Sequence, residues 1–129
     1  MTLNLIVLEK TYSIYKFKND SILPDWIYSS DFYSITKTKD ELTVITNQND
    51  SLSEDILCSK DWRIFKIEGL LDFSLIGIIA DISNIFKEKK IPIFTVSTYD
   101  TDFFLVKQKD LNAGIKALRA KGHSVLIEQ

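Results

Sequence analysis

Short apolar runs separated by polar corners recur along the whole chain, and this pattern predicts many small strands. The runs are rich in β-branched and aromatic residues, which is typical of strands. We expect strands at 3–8, 12–17, 32–38, 42–46, 62–68, 91–97, 103–106 and 123–128. Pro24 opens a segment in which about one helical turn is expected.

Two segments instead place apolar residues three and four positions apart, which is the spacing of one buried helix face. The first helix is expected at 73–89, with Asp72 as its N-cap and Gly77 in its interior. Its predicted buried face consists of Leu75, Ile78, Ile79, Ile82, Ile85 and Phe86. The second helix is expected at about 109–121, with Gly122 as its C-cap. Its predicted buried face consists of Leu111, Ile115 and Leu118.

From Trp62 onward the elements follow the order β-α-β-β-α-β, which is that of the ferredoxin-like fold. The preceding residues give a reduced version of the same order, with helices too short to be stable without packing. We therefore predict an α+β protein of two tandem ferredoxin-like units, with antiparallel sheets and helices on one face. The predicted units are residues 1–60 and 61–129.

The composition and charge of the chain argue against a nucleic-acid-binding or membrane protein. Apolar residues make up 45% of the 129 residues, and the net charge of -2 provides no basic surface for nucleic acid or anionic lipid. The first residues lack a basic leader, and no run approaches the ~20 apolar residues of a membrane span. We expect a cytoplasmic protein with neither a nucleic acid nor a membrane as its partner.

Few residues in the sequence suit catalysis, a metal ion or a cofactor. The single cysteine and the single histidine exclude an internal disulfide and a Cys/His metal cluster. Ser97 and Thr98 have no histidine near them in sequence to act as the base that a nucleophile requires. Asp72, Asp100 and Asp102 carry oxygen ligands suited to Mg²⁺ or Ca²⁺, but their spacing matches no known loop motif. We predict a non-enzyme without cofactor or metal.

Two runs of sequence resemble the ACT domain, a small-molecule-binding regulatory module. They are EGLLDFSLIG (68–77) and STYDTDFFLV (97–106), and the strand IPIFTVS (91–97) also fits the ACT pattern. More narrowly, the chain is similar to stand-alone tandem ACT proteins, which resemble one half of the CASTOR-type arginine sensors. The likeness is strong over 62–128 and weaker over 1–60, where a proper first helix is missing.

The resemblance implies an amino-acid site at a place where two ACT units meet. The matching positions are Asp72, Phe73 and Ser74 before the first helix, and Phe94, Thr98, Asp100 and Asp102 near the strand corner. Simpler roles stand beside these. Asp72 fits an N-cap, Asp100 and Asp102 fit exposed turn acids, and Phe73 and Phe94 fit core residues.

The resemblance therefore implies a regulatory protein that binds a small molecule, an amino acid by expectation, and forms a homodimer. The open sheet edges of such small units favour side-by-side pairing. The alternative is a protein–protein interaction module that has the same fold and no ligand pocket.

Overall fold

The computed structural model describes residues 2–51, 56–69 and 77–129. The chain separates into two compact units. The N-terminal unit is Lys10–Trp62, and the C-terminal unit combines Met1–Glu9 with Arg63–Gln129. The domains expected from the sequence are residues 1–60 and 61–129, and these bounds stay a prediction. In the structure the first strand lies in the C-terminal unit.

Strands were expected in eight segments, and the structure has a strand in each. They are β1 (Asn4–Val7), β2 (Tyr12–Phe17), β3 (Ser34–Lys37), β4 (Leu42–Asn47), β5 (Leu57–Ile67), β6 (Phe94–Ser97), β7 (Asp102–Lys107) and β8 (Ser124–Ile127). The helices are α1 (Ile78–Glu88) and α2 (Leu111–Ala120), with short 3-10 helices at Asp25–Ser29 and Gln108–Asp110. The expected turn of helix after Pro24 is the first of these 3-10 helices.

The N-terminal unit is an antiparallel sheet in the order β3-β4-β2-β5, to which β5 contributes its residues up to Trp62. Tyr15, Ile27 and Val44 form its core, and Trp26 packs against this cluster. Ile27 comes from the 3-10 helix, so this single turn supplies the cover that a full helix gives to an ordinary ferredoxin-like unit.

The C-terminal unit has a sheet in the order β6-β7-β5-β1-β8. Strand β1 pairs antiparallel with β5 and parallel with β8, and β6 pairs antiparallel with β7. The sheet is therefore mixed, whereas the sequence indicated antiparallel sheets. The difference arises because β1, which lies far from β8 in sequence, inserts between β5 and β8. The predicted α+β fold is confirmed.

Both helices of the C-terminal unit cover the same face of its sheet. Alternate residues of four strands point into one apolar cluster, which fits the two-residue period of a strand. These strand residues are Leu5, Val7, Phe65, Ile67, Phe104, Val106 and Val125. The helices contribute Ile78, Ile82, Ile85, Phe86, Leu111, Ile115, Ala117 and Leu118. Helices on one face were expected, and this expectation is confirmed for the C-terminal unit.

Helix α1 begins later than the periodicity indicated. Gly77 is its N-cap and has φ = 82°, a left-handed conformation that favours glycine. The prediction that Gly77 lies inside the helix is therefore wrong. Ile79, predicted to be buried, is 39% exposed. The predicted N-cap, Asp72, and the predicted core residue Leu75 lie outside the described residues.

The end of helix α2 follows the prediction. Gly122 has φ = 90° and donates its backbone N–H to the carbonyl of Arg119 at 3.0 Å. The N–H of His123 donates to the carbonyl of Leu118 at 3.1 Å. These bonds satisfy carbonyls of the last turn, as a glycine after the helix end commonly allows.

Candidate functional site

The polar corner between β6 and β7 is a closed turn. The backbone N–H of Thr98 donates to the carbonyl of Thr101 at 2.8 Å, which closes the hairpin. The Thr98 hydroxyl also donates to that carbonyl, at 3.1 Å, and accepts the backbone N–H of Thr101 at 3.3 Å. Thr98 therefore holds the shape of the corner.

Thr101 joins this corner to the end of β5. Its side chain is only 7% exposed, and its hydroxyl donates a 2.7 Å hydrogen bond to the carbonyl of Ile67. Ile67 is the last residue of β5, and Glu68 and Gly69 follow it. The hairpin corner is thereby fixed beside the point where the chain leaves β5 towards α1. Sequence reasoning placed Thr101 in the turn but did not select it as a site residue.

The two carboxylates of the corner have different surroundings. Asp102 lies opposite Ser97 in the strand register, and its Oδ1 accepts a 2.6 Å hydrogen bond from the Ser97 hydroxyl. Asp100 is exposed and forms no hydrogen bond or ion pair with the residues that the structure describes. Asp100 is therefore the corner carboxylate that is available to an incoming cation.

Phe94 lies at the opposite end of β6 from the corner. It pairs with Leu105 and is half-buried, and it is not a member of the core cluster of its unit. In the described part of the chain, β6 pairs with β7 alone. Phe94 therefore belongs to a strand at the edge of the sheet.

Three predicted site residues, Asp72, Phe73 and Ser74, lie outside the described residues. Gly69 and Gly77 stand on either side of that stretch, with φ of 85° and 82°. Both are exposed, and a Cβ added to either would meet no atom within 4 Å. The backbone amides that begin α1 follow Gly77 directly, and the first N–H groups of a helix have no partner within it. No side chain of the described residues caps them.

The described residues show no grouping that suits a metal ion. In the ranges 2–51, 56–69 and 77–129, no three histidine, cysteine or acidic side chains come close enough together to bind one. None of the helices in these ranges is long and apolar enough to cross a membrane.

Two family profiles match the chain. The ACT domain profile matches residues 57–120, and a profile for an N-terminal domain matches residues 10–61. The second range closely follows the N-terminal unit of the structure, Lys10–Trp62. No curated protein matches the chain.

Solved structures reproduce the fold over nearly the whole chain. The Agobacterium tumefaciens protein Atu0741 is 32% identical, with a TM-score of 0.90 over 100% of this chain and 96% of that one. A Vibrio cholerae protein of unknown function, VC0802, is 13% identical, with a TM-score of 0.74 over 92% and 89%. The regulatory subunit of aspartate kinase from Thermus thermophilus is 8% identical, with a TM-score of 0.59 over 88% and 93%.

These matches define a regulatory-type ACT module, and the chain belongs to the ACT domain family. The likeness to aspartate kinase is to a regulatory subunit, which this chain covers almost completely. The low identities of the second and third structures make them evidence of fold alone.

Proposed function

We propose that this protein is a cytoplasmic, non-catalytic regulator that binds an amino acid at an interface between ACT units of two copies of the chain. The observation that carries the proposal is the hydrogen bond from Thr101 to Ile67. It fixes a polar corner beside the end of β5. The family assignment adds that ACT domains commonly bind small molecules such as amino acids.

The chemistry of this region suits a zwitterion. Helix N-terminal amides attract an anion, so the start of α1 at Ile78 is a place for the ligand's carboxylate. Asp100 is an exposed carboxylate without a described partner, and in the proposal it holds the ligand's ammonium group together with Asp102. In the proposal, Asp72 and Ser74 complete the polar wall of the site.

In the proposal, two aromatic residues form the apolar side of the site. Phe73 and Phe94 lie there and cover the ligand's carbon chain. Phe94 supports this role because it is half-buried and outside the core cluster, which leaves part of its ring surface accessible.

Regulation follows from linkage. A ligand that binds only the assembled form stabilises that form by its differential affinity. Strand β6, which has a single partner strand in the described part of the chain, offers an open edge for a homodimer. Amino acid binding would then raise the dimer fraction at a given protein concentration.

The proposal is tested by thermal denaturation of the protein with each of the twenty amino acids at millimolar concentration, with the mass in solution measured alongside. A ligand at 100 times its Kd adds about 2.7 kcal/mol, which raises Tm by roughly 10 °C in a domain of this size. A selective rise for one or two amino acids, with a larger dimer fraction, supports the proposal. A well-folded protein with no shift for any of them contradicts it.

The alternative, an interaction module without a ligand, is favoured by the Ser97–Asp102 hydrogen bond, because it satisfies one corner carboxylate internally. The double variant Asp72→Ala, Asp102→Ala separates the two functions. In a sensor, it abolishes the ligand-induced rise in Tm and leaves the fold intact. Ser97→Ala is the matched control, since it removes the same hydrogen bond and keeps both carboxylates.

A further inference from the structure

Strand β3 forms an open edge of the sheet in the N-terminal unit. In the part of the chain that the structure describes, β3 pairs with β4 alone. The backbone N–H of Thr38 donates to the carbonyl of Glu41 at 2.9 Å, and the hydrogen-bonded positions of the hairpin recur at every second residue from there. The backbone groups of Ile35 and Lys37 therefore point away from β4, and no described residue hydrogen-bonds to them. Such an edge can accept a further strand.

The side chains beside this edge form an exposed apolar strip. Ile35 lies on the same face of the strand as Tyr33, because the two are separated by one residue. The ring of Tyr28, from the 3-10 helix of this unit, packs edge-on against that of Tyr33, with the ring centroids 5.4 Å apart. All three side chains are exposed. Contiguous exposed apolar surface next to an open strand edge is typical of an interaction site.

Charges of opposite sign flank the strip. Asp31 lies before β3, whereas Lys37 ends the strand and Lys39 follows it. All three are exposed, and none forms an ion pair with another residue that the structure describes. An acidic residue before a strand and basic residues at its other end make the strand complementary to an antiparallel copy of itself.

The backbone and the charges together select one register for this pairing. Residues whose backbone groups point outward have to meet others of the same kind. Two registers achieve this while pairing three residues of β3, one centred on Ile35 and the other on Thr36. The register centred on Thr36 places no basic residue opposite Asp31. The register centred on Ile35 places Asp31 opposite the partner's Lys39, and two-fold symmetry repeats this pair at the other end.

We propose that β3 is a self-pairing edge, through which two copies of the chain join the sheets of their N-terminal units. Ile35 lies opposite the partner's Ile35. Tyr33 lies opposite the partner's Lys37, whose ammonium group is attracted to the aromatic ring. The inference goes beyond the proposed function, which uses the edge of β6 in the C-terminal unit. A chain with two self-complementary edges builds assemblies larger than a dimer.

The first test uses two charge reversals and their mixture. Asp31→Lys and Lys39→Asp each place like charges opposite one another at both ends of the paired strands. Each variant alone should therefore self-associate at least about tenfold more weakly than the unsubstituted protein in sedimentation velocity. In an equimolar mixture, opposite charges meet again at both ends of the mixed pair, so association should recover.

Lys10→Asp is the matched control, because Lys10 is exposed and lies outside β3 and its flanking residues. Its association should be unchanged. Single variants that associate like the unsubstituted protein, or a mixture that shows no recovery, overturn the proposal. Because these experiments contain no amino acid, their outcome is independent of the ligand screen for the C-terminal unit.

The register is tested by cross-linking in a Cys58→Ser background, which removes an exposed thiol. Cα atoms of opposed residues at a hydrogen-bonded position are about 5.5 Å apart, within the range of about 4.4–6.8 Å that a disulfide spans. Under mild oxidation, Ile35→Cys should form a linked dimer faster than Thr36→Cys does. Faster linking of Thr36→Cys would identify the other register and overturn the proposed one.

Discussion

The hydroxyl of Thr101 and the carbonyl of Ile67 form a buried 2.7 Å hydrogen bond that joins the β6–β7 corner to the end of β5. Thr101→Val keeps the shape of the side chain and removes the donor. A buried carbonyl that loses its partner costs about 1–2 kcal/mol, so we expect the free energy of unfolding to fall by that amount. Urea denaturation measures it.

Thr95→Val is the matched control for this experiment, because Thr95 is an exposed threonine on the neighbouring strand β6. Its free energy of unfolding should change by less than about 0.5 kcal/mol. Equal effects of the two substitutions would mean that the bond to Ile67 contributes nothing specific.

A second prediction concerns a left-handed residue within β5. Asp61 has φ = 67°, and its backbone N–H donates to Oε1 of Gln48 at 2.7 Å. The Gln48 amide also donates to Oδ1 of Asp61, and its Oε1 accepts the buried hydroxyl of Ser13. Gln48→Ala leaves Ser13 without this acceptor, so it should reduce stability by about 1–2 kcal/mol in urea denaturation.

Substitutions at Asp61 separate strain from hydrogen bonding. Asp61→Ala removes the carboxylate that accepts the Gln48 amide and keeps the Cβ, which in a left-handed backbone costs roughly 1–2 kcal/mol. Asp61→Gly removes that strain and should be more stable than Asp61→Ala. If the glycine variant is the less stable of the two, the strain at Asp61 is not what limits stability.

A third prediction concerns pH. The imidazole Nδ1 of His123 accepts the backbone N–H of Leu3 at 3.0 Å, so its proton lies on Nε2. Burial lowers the pKa of His123 from its ordinary value near 6.5, while the charge of Asp81 acts in the opposite direction. Above about pH 6.5 both the folded and the unfolded chain hold a neutral imidazole, so His123 adds no pH dependence to the stability.

As the pH falls below about 6.5, the unfolded chain binds the proton first, so His123 lowers the stability of the folded state. The decline levels off once the pH passes below the folded pKa. Urea midpoints measured between about pH 7.5 and 5.5 should show this slope. His123→Asn offers an amide oxygen in place of Nδ1 and does not titrate, so its midpoint should change less over the same interval.

A fourth prediction concerns the packing of the two helices. A Cβ on Gly114 of α2 would lie 3.0 Å from Cε1 of Phe86 and 3.4 Å from Cζ of Phe65. Both rings are fully buried, so they have little room to move. Gly114→Ala gains about 1 kcal/mol of helix propensity, but overpacking costs about 1–3 kcal/mol, and we expect a net loss of stability.

Asn112→Ala provides the comparison for Gly114→Ala, because Asn112 is exposed on the same helix. Propensity alone should make it more stable by about 0.5 kcal/mol. Two substitutions to alanine on one helix are thus expected to change the urea midpoint in opposite directions. A rise in both would show that the rings yield to the added methyl group.

The elements of the fold were predictable because their periodicity is local. The spacing of Leu111, Ile115 and Leu118 identified α2, and Gly122 identified its end. At Gly77 the same approach failed. The helical spacing of apolar residues continues across Gly77 in the sequence, but the left-handed backbone of Gly77 stands before the first residue of α1. The place of β1 between β5 and β8 depends on pairing between distant segments, which no periodicity contains.

For the candidate site, the sequence predicted the turn at the β6–β7 corner but not the contacts within it. Polar residues at 97–102 indicate a turn, and the structure has one there. The sequence did not reveal that Thr101 is buried or that Asp102 is hydrogen-bonded to Ser97 while Asp100 has no such partner. These differences depend on which strand lies beside the corner, and alternation within one strand does not determine its neighbour.

The position of β1 also has a consequence for synthesis on the ribosome. Strand β1 is made before both of its partners in the sheet, β5 and β8. Lys10–Trp62 can close its own sheet in the meantime. Strand β1 therefore has no partner strand until β5 has been made, and its second edge stays open until β8 follows. During that interval a chaperone that binds extended apolar segments would find its substrate here.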